Sequence, residues 1–130
     1  MGAAGRRPAQ AMVEFALTLP LVLILMMGVL DLGRGVLTNI ALSNSVREGA
    51  RTAIAVYPAS GWDTQAVTRT GASAAILDLS ALTVTATTET SGGSTYVRVT
   101  GQYQFRLIAP YLTITRSTIL LNSTTRMLVS

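Results

Sequence analysis

The chain contains no cysteine, no histidine and no lysine in its 130 residues, and all ten of its basic residues are arginine. These absences exclude zinc sites built on cysteine and histidine, disulfides, cysteine nucleophiles, imidazole bases and lysine Schiff bases. Only three aspartates and three glutamates remain for acid–base chemistry. The sequence therefore predicts a protein that is not an enzyme and that holds no metal ion or other cofactor.

Charge is scarce as well, because only 12% of the residues are charged whereas 49% are apolar. A soluble domain of average composition has about 25% charged residues. The apolar excess is concentrated between Ala11 and Leu30, where Glu14 is the single charged residue. At about 1.5 Å per residue this segment forms a helix of roughly 30 Å, the thickness of the hydrocarbon core of a bilayer. It has no polar face, so we predict a transmembrane helix.

A cleaved secretory signal is the alternative explanation of this segment. Such a signal has an apolar run of about 7–15 residues, followed closely by a cleavage site between small residues. Here the run is longer, and the best small-residue site, around Ala53–Ala55, comes far downstream of it. The sequence therefore favours an apolar helix that is retained.

The charges that flank the apolar segment predict its orientation. Arg6 and Arg7 precede it without any acidic residue, and Asp31 is the first charge after it. Because positively charged flanks tend to stay in the cytoplasm, we expect a cytoplasmic N-terminus and an extracytoplasmic location for residues 31–130. This outer part has no dense arginine cluster, so binding to nucleic acid is not expected.

Glu14 admits two interpretations. A carboxylate in hydrocarbon costs about 2.5–3.5 kcal/mol even on lenient insertion scales, so an acidic residue inside a membrane helix is by default functional. Alternatively, Glu14 lies near enough to the end of the helix for its carboxylate to reach the membrane surface. The apolar segment by itself leaves both interpretations open.

Glu14 belongs to an ordered set of motifs. A basic leader is followed by Glu14-Phe15, by Pro20 within the apolar helix and by the segment Arg47-Glu48-Gly49-Ala50-Arg51. With this combination the chain resembles the TadE-like family of pilins and pseudopilins, which belong to the tight-adherence (Tad, or Flp) branch of type IV pilus systems. The resemblance extends over roughly residues 5–56.

The resemblance implies cleavage by a prepilin peptidase. In this family the glutamate is typically the fifth residue of the mature chain, which places the cleavage site between Ala9 and Gln10. Ala9 stands where the family usually has glycine, and the nearest glycine, Gly5, would make Glu14 the ninth residue. The resemblance also implies that Glu14 attracts the free α-amino group of a neighbouring subunit, and such a pair sets the register of assembly.

The resemblance further implies a structural role. The subunit is expected to insert in the cytoplasmic membrane and to assemble through its N-terminal helix, with Glu14, Phe15 and Pro20 as assembly residues, into an extracellular pilus for adhesion. Expected partners are the prepilin peptidase, the inner-membrane assembly platform and other copies of this chain or other pilins. The main pilins of these secretion-related systems are usually very short, so a head domain favours a minor subunit, although the major role stays open.

A second function accounts for the same apolar segment. A membrane-anchored extracytoplasmic binding domain with a single span, which does not polymerise, needs the transmembrane helix as well. It leaves Glu14-Phe15 and the basic leader without an explanation. The mass of the mature N-terminus separates the two functions, because only the processed prepilin begins at Gln10.

Proline and glycine occur within the apolar helix and just after it. Pro20 removes the backbone hydrogen bond to the carbonyl of Ala16. Gly28, Gly33 and Gly35 each lower helix propensity by about 1 kcal/mol relative to alanine. These residues are either tolerated, as is common in membrane helices, or they let the helix bend or locally melt as it leaves the bilayer. Both interpretations stay open.

Beyond the apolar segment the pattern becomes amphipathic, and we expect one helix from Gln10 to about Val56 that ends before Pro58. Its second half is expected to pack on a head domain. Glu48 and Arg51 are spaced for a pair within the helix, worth about 0.2–0.5 kcal/mol on a solvated face. The predicted packing stripe consists of Leu32, Val36, Ile40, Val46, Ala50, Ile54 and Tyr57.

The head is expected to begin with a second helix over roughly Thr64–Leu77, capped by Ser60 or Asp63. Trp62, the single tryptophan, is expected to anchor the core rather than to serve as a platform for a ligand. The head offers no acidic residues at calcium-loop spacing. Asn122 begins a glycosylation sequon, but it falls within a predicted strand, so glycosylation is not expected.

Strands are expected in the rest of the head because its residues alternate between apolar and polar. The segments Thr83–Glu89 and Val97–Leu107 flank a turn at Ser91–Ser94, which predicts a hairpin. Ala109-Pro110 is expected to end the second strand. A final strand over about Ser117–Val129 is expected to turn one side inward, formed by Ile119, Leu121, Met127 and Val129.

These elements predict an α+β fold: a long N-terminal hydrophobic helix, as in type IV pilins, packed on a small head with a short helix and a three- to four-stranded antiparallel sheet. We divide the chain into a basic leader (1–9), a transmembrane or filament-core helix (10–30), its amphipathic continuation (31–56) and an extracytoplasmic head (57–130).

Overall fold

The computed structural model of the chain describes residues 6–108 and 117–129. Its strands form one antiparallel sheet in the order β1-β2-β3. The predicted α+β class, with a long apolar helix, a short helix and a small antiparallel sheet, is confirmed. The elements are α1 (Arg6–Val56), α2 (Trp62–Ser73), a short 3-10 turn (Leu79–Ala81), β1 (Leu82–Ser91), β2 (Ser94–Arg106) and β3 (Thr118–Val129).

Helix α1 runs over 51 residues without interruption and continues through Pro20. It begins at Arg6 rather than at the predicted Gln10, because Pro8 lies in the first turn, where a missing N–H removes no hydrogen bond from the helix. The predicted end at Val56 is confirmed. At about 1.5 Å per residue α1 is roughly 75 Å long.

The prediction of α2 was wrong at both ends, since the helix covers Trp62–Ser73 instead of Thr64–Leu77. Its N-cap is Gly61, with φ of 82°, rather than Ser60 or Asp63. The turn that leads into α2 needs a left-handed residue, and glycine adopts that conformation without steric cost. Asp63 lies instead in the first turn, where its charge interacts favourably with the helix dipole.

The predicted hairpin is confirmed, with β1 and β2 pairing from Leu82↔Tyr103 to Ser91↔Ser94. Gly92 and Gly93 form its turn with φ of 61° and 79°. Two consecutive positive φ values give a type I′ turn, which matches the twist of the two strands. The alternation of β2 is confirmed as well, since its buried side is formed by Val97, Val99, Gly101 and Phe105, with Tyr103 half-buried.

Strand β3 pairs with β2 from Thr95↔Val129 to Arg106↔Thr118. Of the side chains predicted to face inward, Leu121, Met127 and Val129 are half-buried and pack against the core. Ile119 remains exposed, because it lies at the end of the sheet, beyond the part that α2 and the second half of α1 cover. The predicted break at Ala109-Pro110 lies outside the described residues.

The core forms where the second half of α1 meets α2 and the sheet. Its α1 residues are Leu42, Val46, Ala50 and Ala53, which pack with Ala66, Ala74, Leu77, Val97 and Val99. Trp62 packs against the edge of this core, as expected of an anchor, and its ring meets that of Tyr57 edge-on at a centroid distance of 5.7 Å.

The predicted packing stripe of α1 was wrong in its first half, because Leu32, Val36 and Ile40 are exposed. The buried positions between residues 31 and 53 include small and polar residues: Asp31, Leu42, Ser45, Val46, Gly49, Ala50 and Ala53. Small residues let the neighbouring backbone approach closely. A Cβ on Gly49 would lie 1.9 Å from Oγ1 of Thr70, and one on Gly101 would lie 2.7 Å from Cγ2 of Val46.

Glu48 also departs from its predicted pairing. Its Oε1 accepts hydrogen bonds from Nη2 of Arg69 at 2.9 Å and from Nε at 3.3 Å, so it links α1 to α2 instead of pairing with Arg51. Both side chains are partly exposed, so the pair contributes less than about 1 kcal/mol to the stability of the head.

Candidate functional site

The first half of α1 is uncovered. Every residue from Ala9 to Met27 is exposed, and none of the most apolar 18-residue window, with a mean hydropathy of 2.3, is buried. In a soluble protein, a helix of equal hydropathy is buried in the core by the rest of its chain. This segment is not buried in that way. In length and composition α1 is sufficient to cross a membrane.

Glu14 lies within this apolar surface, next to the exposed Val13 and Phe15. Oγ1 of Thr18 donates to the backbone carbonyl of Glu14 at 2.8 Å, so the hydroxyl in this apolar segment has a partner. Among the described side chains, those of residues 9–108 and 117–129, none forms a hydrogen bond or an ion pair with the Glu14 carboxylate. An unpaired carboxylate in hydrocarbon is costly, so a partner from outside the described chain is favourable.

The predicted cleavage residues, Ala9 and Gln10, are both exposed and lie near the start of α1. Glu14 is the fourth residue after Gln10, so the two lie about one turn apart on the same side of the helix. Cleavage between Ala9 and Gln10 stays a prediction.

The three predicted flexibility glycines differ in their surroundings. Gly28 lines a groove between α1 and the sheet. A Cβ on Gly35 would lie 3.8 Å from Cε1 of Phe105, whereas one on Gly33 would have no atom within 4 Å. The helix is regular at all three and at Pro20, so bending at these positions stays a prediction.

Asp31 is a residue whose role sequence reasoning missed. It is buried, and its two carboxylate oxygens accept from the backbone N–H of Ile108 at 3.0 and 2.8 Å. Nη1 of Arg34 donates to Oδ1 at 2.9 Å. Asp31 therefore ties the end of the apolar segment to the chain that leaves β2. The available signal was an acid three residues before an arginine on one helix face, directly after Leu30.

Little in the described head resembles a chemical centre. Among the described residues, no group of three or more His, Cys, Asp or Glu side chains is placed to hold a metal ion. Asp78 caps the 3-10 turn, and hydrogen bonds from the hydroxyl and the N–H of Ser80 hold the pKa of its fully exposed carboxyl below the usual value. That arrangement stabilises a turn.

A comparison with protein families bears on the uncovered helix. Residues 9–51 match the family model described as TadE-like protein. This part of the chain is similar to the TadE-like family. The match includes Glu14, Phe15, Pro20 and the segment Arg47–Arg51, so the resemblance drawn from these motifs is confirmed. No curated protein and no solved structure matches the chain.

The TadE-like segment coincides with the uncovered helix and with much of its buried continuation, and it ends before the head begins. TadE-like proteins form a structural, pilus-associated family rather than an enzymatic one. A single apolar helix near the N-terminus, joined to a small α+β head, fits a membrane-anchored, pilin-like protein.

Proposed function

We propose that the protein is a structural pilin-like subunit of a tight-adherence pilus. It inserts in the cytoplasmic membrane through α1 with its N-terminus inside, is cleaved by a prepilin peptidase, and assembles through α1 into an extracellular filament for surface attachment. One observation carries the proposal: the apolar residues of α1 from Ala9 to Met27 are exposed, and among them lies a carboxylate that the described side chains leave unpaired.

The transfer of α1 from lipid to filament explains why the charge matters. Lipid tails are about as apolar as leucine, so helix association in this setting gains little from the hydrophobic effect and depends on packing and polar contacts. Pairing with the α-amino group of a neighbour offsets the cost of keeping the Glu14 carboxylate in an apolar environment. Because Glu14 is the single charge between residues 11 and 30, such a pair also fixes the axial stagger of subunits.

Substitution of Glu14 tests assembly. We expect Glu14→Gln and Glu14→Ala to insert normally but to yield few or no filaments, because neither side chain carries the charge that pairs with the amino group. Glu48→Gln is the matched control, since it removes a glutamate charge from the head half of the same helix. Filament yield is measured by shearing and electron microscopy at equal expression. Unchanged yield for both Glu14 variants contradicts the proposed role.

The mass of the mature chain tests processing. We expect an N-terminus at Gln10 when the prepilin peptidase is present and an uncleaved leader when it is absent. Ala9→Gly restores the family's usual residue and is expected to be cleaved at least as well, whereas the bulkier Ala9→Leu is expected to block cleavage. A chain that keeps its leader in the presence of an active peptidase contradicts this step.

A membrane-anchored binding domain that does not polymerise is the second candidate. One observation favours it: the TadE-like match ends at residue 51, whereas α2 and the whole sheet lie beyond it. This function predicts an uncleaved chain and no filaments under conditions in which Tad pili form. If filaments form, imaging with a label on the head distinguishes a major subunit along the filament from a minor subunit at its tip, the role that the size of the head favours.

A further inference from the structure

The head exposes large apolar side chains at the end from which α1 leaves it. Strand residues Ile119 and Leu120 pair with Phe105 and Gln104, at the end of β2 that lies next to Gly35 of α1. We call this end the base of the head. Its exposed apolar side chains, with exposed fractions from 46% to 90%, are Ile76, Leu79, Ile108, Ile119 and Leu120.

The base lies level with the end of the apolar segment. Asp31 directly follows Leu30, and its carboxylate holds the N–H of Ile108. Gly35, beside Phe105, is five residues above Leu30, or about 7 Å along the helix. The polar layer on each side of a bilayer is about 5–7 Å thick. When α1 spans the membrane, the base therefore lies within this layer.

A groove between α1 and the sheet opens at the same level. It has a volume of about 490 Å³ and extends from Ile24 to Gly35 on the helix, with Phe105 and Ile119 on the sheet side. Gly35 comes eleven positions after Ile24, so the groove extends over about 16 Å of helix. The lining is apolar apart from Asp31, whose carboxylate is bonded to Ile108 and Arg34. Its lower part lies at the depth of acyl chains.

Two arginines lie beside the groove, at the level of the lipid headgroups. Arg34 and Arg106 line an adjoining cavity of about 400 Å³ that shares Phe105 with the groove and also includes Asp78. The Arg34 guanidinium lies over the Phe105 ring, 5.2 Å from its centroid. Arginine at this depth is suited to lipid phosphates.

We propose that the base of the head rests on the membrane and holds a phospholipid, with one acyl chain in the groove and the phosphate beside Arg34 and Arg106. The proposal rests on the membrane insertion of α1 proposed above, but it requires neither cleavage nor polymerisation. It makes the head a surface-bound domain instead of one that extends freely from its anchor.

The groove lies at the depth of the acyl chains and the arginines lie at the depth of the headgroups. These two depths favour a phospholipid over a second copy of the chain as the occupant. A phospholipid presents an acyl chain and a phosphate at these two depths simultaneously. A neighbouring α1 at the same height has no charged residue between Phe15 and Leu30. Its first acid at this height, Asp31, is already bonded to Arg34 and Ile108 within its own chain.

Single-cysteine labelling tests contact of the base with the membrane, because the natural chain contains no cysteine. Leu120→Cys and Leu128→Cys are matched sites, since both lie on the same face of β3 with exposed fractions of 59% and 53%. They are eight residues apart, about 27 Å. The full chain carries an environment-sensitive dye at one site, in nanodiscs holding one copy each. Lipids spin-labelled near the headgroup are expected to quench position 120 and to leave position 128 unchanged.

Retention of lipid tests the groove. Gly35→Leu places a side chain into the groove, whereas Gly33→Leu makes the same change where no atom lies within 4 Å of the added Cβ. After extraction from phosphatidylglycerol–phosphatidylcholine vesicles, native mass spectrometry is expected to find one lipid on the unmodified chain and on Gly33→Leu. Gly35→Leu is expected to lose it. Equal retention by the two variants contradicts the groove as the binding site.

Neutralising the two arginines tests their contact with the lipid phosphate. Arg34→Gln and Arg106→Gln are combined in one variant. Each lost charge near the membrane surface is expected to lower lipid retention about fivefold. The control pair, Arg47→Gln and Arg51→Gln, removes equal charge from exposed positions higher on α1 and is expected to leave retention unchanged. An equal loss in both pairs contradicts a specific phosphate contact.

Four further results decide against the proposal. Equal quenching at positions 120 and 128 contradicts contact through the base, as does the absence of quenching at both. Quenching at position 120 only in discs with two copies makes the base an interface between chains instead. A dye at Leu21→Cys that deep spin labels fail to quench means that α1 does not span the bilayer, and this result alone also overturns the proposed function.

Discussion

The two halves of α1 belong to one uninterrupted helix but have opposite surroundings. Residues Ala9–Met27 are all exposed and mostly bulky and apolar, whereas the face from Leu42 to Ala53 is buried and rich in small residues. The difference teaches that hydrophobicity alone does not decide which part of a helix its own chain covers. Small residues allow a sheet and a second helix to approach, and a bulky apolar surface remains for lipid or for other subunits.

Truncation of one leucine in each half gives the largest expected contrast. Leu42 is fully buried, so Leu42→Ala is expected to lower the free energy of unfolding of the head by about 2–5 kcal/mol. Leu21→Ala, in the uncovered half, is expected to leave it unchanged. Denaturant titration in detergent, followed by the fluorescence of Trp62, measures both. Equal effects of the two substitutions contradict the division of α1 into covered and uncovered halves.

The next comparison adds side-chain atoms to each half instead of removing them, by replacing a glycine with alanine. Gly49→Ala places a Cβ 2.9 Å from the backbone carbonyl of Ala66 and still closer to Thr70, and is expected to cost about 1–3 kcal/mol of stability. Gly33→Ala meets no atom within 4 Å and is expected to stabilise the helix by about 0.4–1 kcal/mol. The same titration applies, and a neutral Gly49→Ala argues against close packing of α1 on α2.

The boundary between the halves depends on Asp31. Asp31→Ala leaves the N–H of Ile108 without its acceptor, which is expected to cost about 1–3 kcal/mol and to speed hydrogen exchange at that amide. Arg34→Gln removes the ion pair and keeps the bond to Ile108, so a smaller loss of stability is expected. If exchange at Ile108 is equally slow in both variants, Asp31 does not hold the sheet to the helix.

The smallest expected effect depends on pH and is confined to the head. Hydrogen bonds from the hydroxyl and the backbone N–H of Ser80 lower the pKa of Asp78 below its ordinary value, so the folded state favours the carboxylate. This contribution to stability is present above the unfolded pKa and is lost as pH falls through the folded pKa. Asp78→Asn is therefore expected to differ from the natural chain in thermal midpoint at neutral pH, with the difference shrinking in acid. Ser80→Ala is expected to show the same trend more weakly.

Features with strong local signals could be predicted from the sequence. The period-two pattern of β2 and the Gly92-Gly93 turn specify the hairpin, since alternation selects the buried face and two glycines supply positive φ. The long apolar run and the motif around Glu14 identified the uncovered helix and its TadE-like character. Each of these signals lies within one short stretch of sequence.

Features that depend on tertiary contacts could not be predicted. Leu32 and Ile40 were expected on the packing stripe because they are apolar, but the covering elements meet α1 at Ser45 and Gly49, where small size matters more than hydrophobicity. Asp31 was taken only as the end of the apolar run. Its acceptor role depends on Ile108, 77 residues later in the chain, and no local pattern specifies that contact.

The continuity of α1 has a rotational consequence. Because α1 is one continuous helix from Arg6 to Val56 and Asp31 bonds the head to it, the number of residues between Glu14 and Asp31 sets the rotation of the head relative to Glu14. One residue inserted between Thr18 and Leu23 turns the head by about 100° relative to Glu14 and raises it by about 1.5 Å. The length of the apolar segment therefore determines which side of the head faces a neighbouring subunit once Glu14 is paired.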